Sequence, residues 1–196
     1  MILDARVLQD EFIPKEVKHR DQETQILADN LKPLKNDYDA ENTLFYGPSG
    51  VGKTCISKYV VEQLREQILD IEYQYINCWQ DYNRFKVLYR LLENLNQTID
   101  IHRQSTPKDE MIERLKNYDE MPYIVILDEA DQLEDKKVLY DLYTIPNITL
   151  IIISNVLEPF YANMDERIRS RFRSITQIKF KPYTVNELES ILENRV

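Results

Sequence analysis

Glycine is scarce in this sequence, and its distribution is uneven. Only three glycines occur among 196 residues, at positions 47, 50 and 52. Glycine adopts backbone conformations that other residues avoid and lets the backbone approach another group closely. Turn glycines are normally scattered, so this concentration indicates that one loop carries a special requirement.

Cysteine and histidine are also rare, with two of each. Cys55 and Cys78 support neither a disulfide framework nor a cluster of metal ligands, and we expect both to be buried thiols. His19 and His102 stand alone in the sequence, which argues against a zinc site.

Long apolar runs are missing as well. No run approaches the roughly 20 residues that a membrane-spanning helix needs. The first residues, Met1–Asp4, lack the pattern of a signal peptide. We therefore expect a cytoplasmic protein with no membrane partner.

The balance of charge is acidic, with a formal net charge of −9. A domain whose main task is to grip phosphate backbones is usually basic. Contacts with nucleic acid would have to come from local patches or from a part outside this chain. The length, with 43% hydrophobic and 30% charged residues, is typical of one α/β domain with a real core.

Hydrophobic periodicity predicts alternating helices and strands. Continuous apolar runs such as 148–154 are typical of strands buried on both faces of a parallel sheet. The alternation predicts a three-layer αβα fold. The predicted helices are 20–36, 53–68, 81–95, one opening at Thr106-Pro107 with a threonine N-cap, and one opening with a capping box at Thr184–Glu187; the predicted strands are 43–46, 73–77, 122–128, 148–154 and 175–180.

The glycine loop, residues 47–54, matches G-x-x-x-x-G-K-T and lies between a predicted strand and a predicted helix. In such a loop, backbone N–H groups and the helix N-terminus bind phosphate. Lys53 would reach the β- and γ-phosphates, and the Thr54 hydroxyl would ligate Mg²⁺. A chance glycine turn is the alternative, but the context favours a site for ATP or ADP with Mg²⁺.

Two carboxylates follow the apolar strand that ends near residue 128. Asp128 and Glu129 come 75 and 76 residues after Lys53. The carboxyl ends of strands in an α/β sheet are where ligands bind. Asp128 would hold Mg²⁺ through water, and Glu129 would polarise the attacking water. Alone, the pair would be better explained as a strand end before an acidic helix start; after a P-loop it favours ATP hydrolysis.

The next apolar strand ends at Ser154-Asn155. Asn155 would face the γ-phosphate if a third strand separates the P-loop strand from the Asp-Glu strand, although an ordinary turn asparagine is equally well supported.

Four arginines alternate with other residues in 165–173. They could supply an arginine finger to a neighbouring subunit, but the residues alone favour a solvated basic turn.

In this order and spacing, these segments resemble the AAA+ ATPases. The finer resemblance is to the archaeal and eukaryotic replication initiators of the origin-recognition and cell-division-cycle-six type, and it covers nearly the whole chain. Its specific part is carried by four segments: Phe12–Arg20, which resembles the segment against the adenine, Tyr75–Cys78, Arg167–Phe172 and Phe180–Thr184.

The resemblance implies a five-stranded parallel sheet in the order 5-1-4-3-2. It implies Walker A roles for Lys53 and Thr54, Walker B roles for Asp128 and Glu129, and a sensor 1 role for Asn155. Arg171 becomes the preferred arginine finger acting in trans, with Arg167 second. The implied nucleotide-binding set is Pro14, His19, Arg20, Gly47, Pro48, Ser49, Gly50, Val51, Gly52, Lys53, Thr54 and Cys55.

The same resemblance divides the chain. Residues 1–196 form an AAA+ base domain, with an N-terminal segment and helix in 1–42, a helical insertion region in 79–119 and the start of a lid connection in 182–196. The insertion suggests candidate DNA contacts, although a solvated amphipathic helix is at least as well supported. These candidates are Arg84, Lys86, Arg90 and Arg103.

Members of the resembled family continue into a helical lid with a sensor 2 arginine and then a winged-helix domain. This sequence stops at Val196, where the lid should begin. Either a fragment or a short natural form would explain that. Because the lid forms one wall of the site, we expect weak nucleotide affinity and slow hydrolysis from this chain.

The leading functional hypothesis is an ATP-controlled module of an origin-binding initiator. Its partners would be origin DNA, other AAA+ subunits and a replicative helicase that it helps to load. Its place would be the cytoplasm, at the nucleoid in a prokaryote. The alternatives are a clamp-loader subunit and a helper or signalling ATPase acting on proteins. The Asp-Glu-Ala-Asp run at 128–131 could suggest an RNA helicase, but no second helicase domain is present.

Overall fold

The computed structural model describes Pro14 and residues 17–102, 106–162 and 164–193. The predicted DNA contact Arg103 lies outside these residues. So do residues 12, 13, 15 and 16 of the predicted adenine-facing segment Phe12–Arg20. Among the described helices the longest, α2, has 13 residues, and none combines the length and apolarity needed to cross a membrane.

Helices and strands alternate along the chain, as predicted. The strands are β1 (Thr43–Tyr46), β2 (Glu72–Asn77), β3 (Tyr123–Asp128), β4 (Ile148–Ser154) and β5 (Thr176–Lys179). The helices are α1 (Asp21–Leu31), α2 (Lys53–Arg65), α3 (Arg84–Asn94), α4 (Lys108–Lys116), α5 (Lys137–Tyr143), α6 (Leu157–Tyr161), α7 (Glu166–Ser174) and α8 (Val185–Glu193). Short 3-10 helices cover Lys32–Asn36 and Ala130–Gln132.

The five strands form one parallel sheet in the order β2-β3-β4-β1-β5. From the other edge this is 5-1-4-3-2, so the predicted order is confirmed. In the register of the sheet, Tyr46 lies beside Ser154, and Asn77 lies beside Asp128. The carboxyl ends of the strands therefore meet at one edge, where the candidate site residues are expected.

Side chains alternate between the two faces of the sheet and build two cores, which confirms the three-layer architecture. On β3, Ile124 and Ile126 pack with residues of α1 and α2. Val125 and Leu127 belong to the other core, with residues of α3 to α7. Burial on both faces explains why β3 and β4 are apolar at nearly every position.

Several helices depart from their predicted bounds: α2 ends at Arg65 instead of 68, and α3 begins at Arg84 instead of 81. Two further departures have a local cause. The predicted helix 20–36 is α-helical only to Leu31, and a 3-10 turn containing Pro33 follows, because proline cannot donate the backbone hydrogen bond of an α-helix. Helix α4 starts at Lys108, one residue later than expected, with Pro107 at the N-cap. The Thr106 hydroxyl instead accepts a hydrogen bond from the His102 amide at 2.9 Å.

Candidate nucleotide-binding site

The glycine loop joins β1 to α2 at the carboxyl edge of the sheet, and its three glycines have φ values of +150°, +77° and +92°. A Cβ on Gly47 would lie 2.3 Å from the carbonyl oxygen of Phe180, whereas a Cβ on Gly50 would meet no atom within 4 Å. Gly47 is therefore required by close packing against the chain after β5. Gly50 leaves open space in the mouth of the loop, where Pro48, Ser49 and Gly50 are exposed.

Lys53 begins α2, and its side chain is only 6% exposed. Its ammonium donates to the carbonyls of Gly47 and Pro48, each at 2.7 Å, and to Asn155 Oδ1 at 3.1 Å. Burial lowers the pKa of Lys53, while nearby carboxylates, Asp128 first, oppose that shift. The loop thus encloses a cation where the P-loop pattern predicts a phosphate contact, and phosphate oxygens are stronger acceptors than carbonyls.

Asp128 gathers three donors at the end of β3. Thr54 Oγ1 donates to Asp128 Oδ2 at 2.6 Å, and the Tyr75 hydroxyl donates to the same oxygen at 2.9 Å. The backbone N–H of Glu129 donates to Asp128 Oδ1 at 2.9 Å. Burial and the Asp128 charge raise the pKa of Tyr75, so its phenol stays protonated and remains a donor.

The pairing of Thr54 with Asp128 fits Mg²⁺, which prefers hard oxygen ligands. Among the described residues, no group of three or more His, Cys, Asp or Glu side chains is arranged to hold a metal ion. Mg²⁺ bound by one or two protein oxygens takes its other ligands from water and substrate phosphates. The donor set is therefore suited to a metal that arrives with the nucleotide.

Glu129 follows Asp128 in a left-handed conformation, with φ +53° and ψ +41°. Non-glycine residues adopt this region at some cost in strain. Burial raises the pKa of Glu129, the charges of Asp128 and Asp131 raise it further, and Lys53 opposes the shift. A carboxylate with a raised pKa at the edge of this site is suited to accept a proton from water.

Asn155 lies where β4 ends, and its side-chain oxygen contacts Lys53. The strand order places β4 between β1 and β3, which is the condition for Asn155 to lie near the phosphate loop. Asp131 Oδ1 accepts hydrogen bonds from the Asn155 backbone N–H at 3.1 Å and the Ser154 hydroxyl at 3.2 Å. Tyr75 and Asp131 belong to motifs of the sequence, but their contacts with Asp128 and Asn155 could not be inferred from it.

Arg20 was predicted to contact nucleotide, and in the structure its guanidinium contacts protein groups. Its Nε donates to the Val51 carbonyl at 3.2 Å, and one terminal nitrogen donates to the Lys181 carbonyl at 2.5 Å. The same group lies 4.1 Å from the centre of the Tyr183 ring. Arg20 thus links the glycine loop to the segment after β5 by hydrogen bonds. The Tyr183 hydroxyl of that segment also lies close to Gly52.

The predicted nucleotide contacts outside residues 47–54 also include Pro14, His19 and Cys55. Pro14 is half-buried, and His19 is exposed with φ +63°. Cys55, which we expected to be buried, is half-buried in the first turn of α2, whereas Cys78 is buried as predicted. Burial, and then the charges of nearby carboxylates with Asp128 first, raise the pKa of the Cys78 thiol.

Helix α7 carries the candidate arginine fingers. Its buried face is formed by Ile168 and Phe172, while Arg167 and Arg171 are exposed one turn apart. The Arg171 guanidinium lies 5.2 Å from the centre of the Tyr140 ring of α5. Arg171 is therefore an exposed residue that lies over the aromatic side chains of α5.

The candidate DNA contacts that the structure describes have protein partners. Arg84 Nε donates to Asp141 Oδ2 at 2.6 Å, and its side chain is 17% exposed. Arg90 pairs with Asp81 and Glu93. Lys86 donates to a backbone carbonyl at 2.9 Å. These contacts favour a structural role for the three cations.

A groove of about 560 Å³ opens between the starts of α3 and α4. It is lined by Asn83, Arg84, Phe85, Thr106, Pro107, Lys108 and Asp109. The glycine loop does not contribute to this lining, so the groove is a separate feature of the insertion region. Arg84, its most buried cation, is already paired with Asp141 and Asp109.

Comparison with known proteins identifies the family. The AAA domain family matches residues 36–159. The ORC1-type DNA replication protein 1 of Halobacterium salinarum is 55% identical over all 196 residues, which cover 64% of that protein. The chain spans less than two-thirds of this relative.

Two solved structures share the fold. The Aeropyrum pernix ORC2 protein, in ADPNP-ADP complexes, superposes with a TM-score of 0.81 at 21% identity, over 98% of this chain and 55% of that one. The Aeropyrum pernix ORC1 protein in complex with DNA has a TM-score of 0.78 at 26% identity, over 97% of this chain and 52% of that one. The chain belongs to the AAA domain family, within the group that contains the ORC1-type replication proteins.

Proposed function

We propose that this chain binds ATP with Mg²⁺, hydrolyses it slowly and serves as the nucleotide-controlled module of a DNA replication initiator. The observation that carries the proposal is the convergence of Lys53, Thr54, Asp128 and Asn155 at one edge of the sheet. These residues come from three separate segments, and each contributes the group that phosphate or Mg²⁺ binding requires.

The residues divide the work of the site. Backbone N–H groups of the glycine loop and the start of α2 bind the phosphates, and Lys53 exchanges its loop carbonyls for phosphate oxygens. Mg²⁺, held by Thr54 and through water by Asp128, would neutralise charge that develops on the phosphates. Glu129 orients and deprotonates the attacking water. Asn155, which contacts Lys53, would contact the terminal phosphate.

Slow hydrolysis would make the module a switch, since ATP organises an interface that hydrolysis then releases. The exposed Arg171, directed over α5, supports a finger that acts on a neighbouring subunit. The isolated chain would then lack the cation that most stabilises the transition state. Assembly would be needed for full activity.

Mixing experiments test whether Arg171 acts in trans. In the assembled protein, Arg171→Ala should lower hydrolysis by about tenfold or more. Each Arg171→Ala subunit keeps an intact nucleotide site, and each Glu129→Gln subunit keeps an intact arginine. A mixture of the two should therefore hydrolyse ATP faster than the sum of the separate variants, as measured by phosphate release.

Arg173→Ala is the matched control, because Arg173 is exposed on the same helix and lies over Tyr161. It should leave the rate of phosphate release unchanged. Activity of the mixture no greater than the sum of its parts would contradict action in trans. An unaffected Arg171→Ala protein would exclude Arg171 as the finger.

The proposed partners are origin DNA, other AAA+ subunits and a replicative helicase. The ORC1-type relatives and the DNA complex of a solved relative support the first of these. The net charge of −9 and the paired cations of α3 favour a main DNA surface outside this chain. As a replication protein it would work in the cytoplasm, at the nucleoid in a prokaryote.

Footprinting on candidate origin DNA tests this function. The complete gene product should protect repeated elements in the presence of ATP, and protection should change when ADP replaces ATP. The Lys53→Ala protein should lose that dependence on nucleotide. Failure of the wild-type protein to protect any repeat, with or without ATP, would overturn the initiator proposal.

A further inference from the structure

Asp131 lies in the short 3-10 turn after β3, next to the end of β4. Its Oδ1 atom accepts two hydrogen bonds from the end of β4, from the Asn155 backbone N–H at 3.1 Å and the Ser154 hydroxyl at 3.2 Å. Its Oδ2 atom accepts a third hydrogen bond from the side-chain amide Nε2 of Gln132 at 2.8 Å. One carboxylate therefore joins the turn that carries Glu129 to the residue that contacts Lys53.

The chain on either side of Asn155 is held by other contacts. Before it, β4 pairs with both β1 and β3. After it, helix α6 is capped by the buried Lys136, whose ammonium donates to the carbonyls of Phe160 at 2.7 Å and Pro159 at 3.0 Å. Asn155 lies between these two fixed segments, and its own backbone N–H is held by Asp131.

We infer that Asp131 is a positioning residue of the nucleotide site: its carboxylate holds the Asn155 backbone so that the Asn155 side-chain amide faces Lys53 and the terminal phosphate. The inference rests on the proposed function, because it assigns to Asp131 a task within ATP binding.

ATP and ADP distinguish positioning from mere structural support. A contact between Asn155 and the terminal phosphate exists only with ATP, because ADP lacks that phosphate. A misplaced Asn155 should therefore lower the affinity for ATP and leave the affinity for ADP unchanged. General damage to the turn would weaken both nucleotides alike.

The experiment measures the dissociation constants of a non-hydrolysable ATP analogue and of ADP, each with Mg²⁺, by titration calorimetry. Asp131→Ala should weaken binding of the analogue by about tenfold to 100-fold, the range for one hydrogen bond to a charged group. ADP affinity should change by less than about twofold, which also shows that the protein is folded. Asp131→Asn keeps an acceptor oxygen and should recover most of the loss.

A double-mutant cycle with Asn155→Ala completes the test. The double variant with Asp131→Ala and Asn155→Ala should bind the analogue no more weakly than Asn155→Ala alone. Each change removes the same contact, that between Asn155 and the terminal phosphate. Asp135→Ala is the matched control: Asp135 also accepts a backbone hydrogen bond, at 3.0 Å from Lys137 at the start of α5, and its loss should spare both nucleotides.

The outcomes separate this inference from the function on which it rests. Three outcomes would each overturn the role of Asp131 and leave the ATPase proposal standing. They are an equal loss of affinity for the analogue and ADP, additive losses of affinity in the double variant, and an unchanged affinity of Asp131→Ala for the analogue. A wild-type chain that binds neither nucleotide would overturn both.

Discussion

Replacing Lys53 with alanine is expected to weaken binding of an ATP analogue by a factor of about 100 and to reduce hydrolysis at least as much. The ammonium is enclosed by the glycine loop, where it contacts the carbonyls of Gly47 and Pro48 and the Asn155 side chain. Removing it leaves the phosphates without their buried cation. Titration calorimetry and phosphate release measure the two losses.

Thermal unfolding provides an independent measurement of the Lys53 effect. A ligand that binds only the folded state raises the melting temperature in proportion to the logarithm of its concentration over Kd. The wild-type chain should show such a rise with Mg-ATP, and Lys53→Ala should not. Lys116→Ala is the control, since Lys116 is an exposed partner of Glu113. A normal rise in the Lys53→Ala protein would contradict the assignment of the glycine loop as the phosphate site.

The sequence sufficed to predict the parts of this site that are local. The glycine loop, Lys53 and Thr54 form one contiguous pattern, and Asp128 with Glu129 directly follows a long apolar strand. Strands β3 and β4 are buried on both faces, so each is a continuous apolar run that can be predicted from the sequence. The strand order came from the family resemblance, since hydrophobic periodicity alone does not determine which strands pair.

The remaining site residues depend on contacts between distant segments, which composition and spacing do not reveal. Tyr75 reaches Asp128 across a separation of 53 residues, and Arg20 reaches Lys181 across 161. Asp131 could be noticed in the Asp-Glu-Ala-Asp run, but its link to Asn155 follows from the pairing of β3 with β4. Basic residues are similarly ambiguous: Arg84 was a DNA candidate until its pairing with Asp141 was known.

Glu129→Gln is expected to leave ATP bound while lowering hydrolysis by about 100-fold to 10,000-fold, the range for loss of a general base. The amide has nearly the same size as the carboxylate, so the left-handed backbone at this position, with φ +53°, should remain. Equilibrium binding of ATP and the rate of phosphate release together test the prediction. Glu134→Gln, an exposed acid in the following segment, is the control and should keep the wild-type rate.

The dependence of hydrolysis on pH should identify the role of Glu129 more specifically. The base acts when deprotonated, so the wild-type rate should fall as the pH is lowered through the pKa of Glu129. Burial and the charges of Asp128 and Asp131 raise that pKa above the ordinary glutamate value of 4.5, so the fall should begin at a higher pH than for an exposed glutamate. The residual activity of Glu129→Gln should lack this acid limb, because glutamine does not titrate. Undiminished hydrolysis in the variant, or an acid limb that persists in it, would assign the base to another residue.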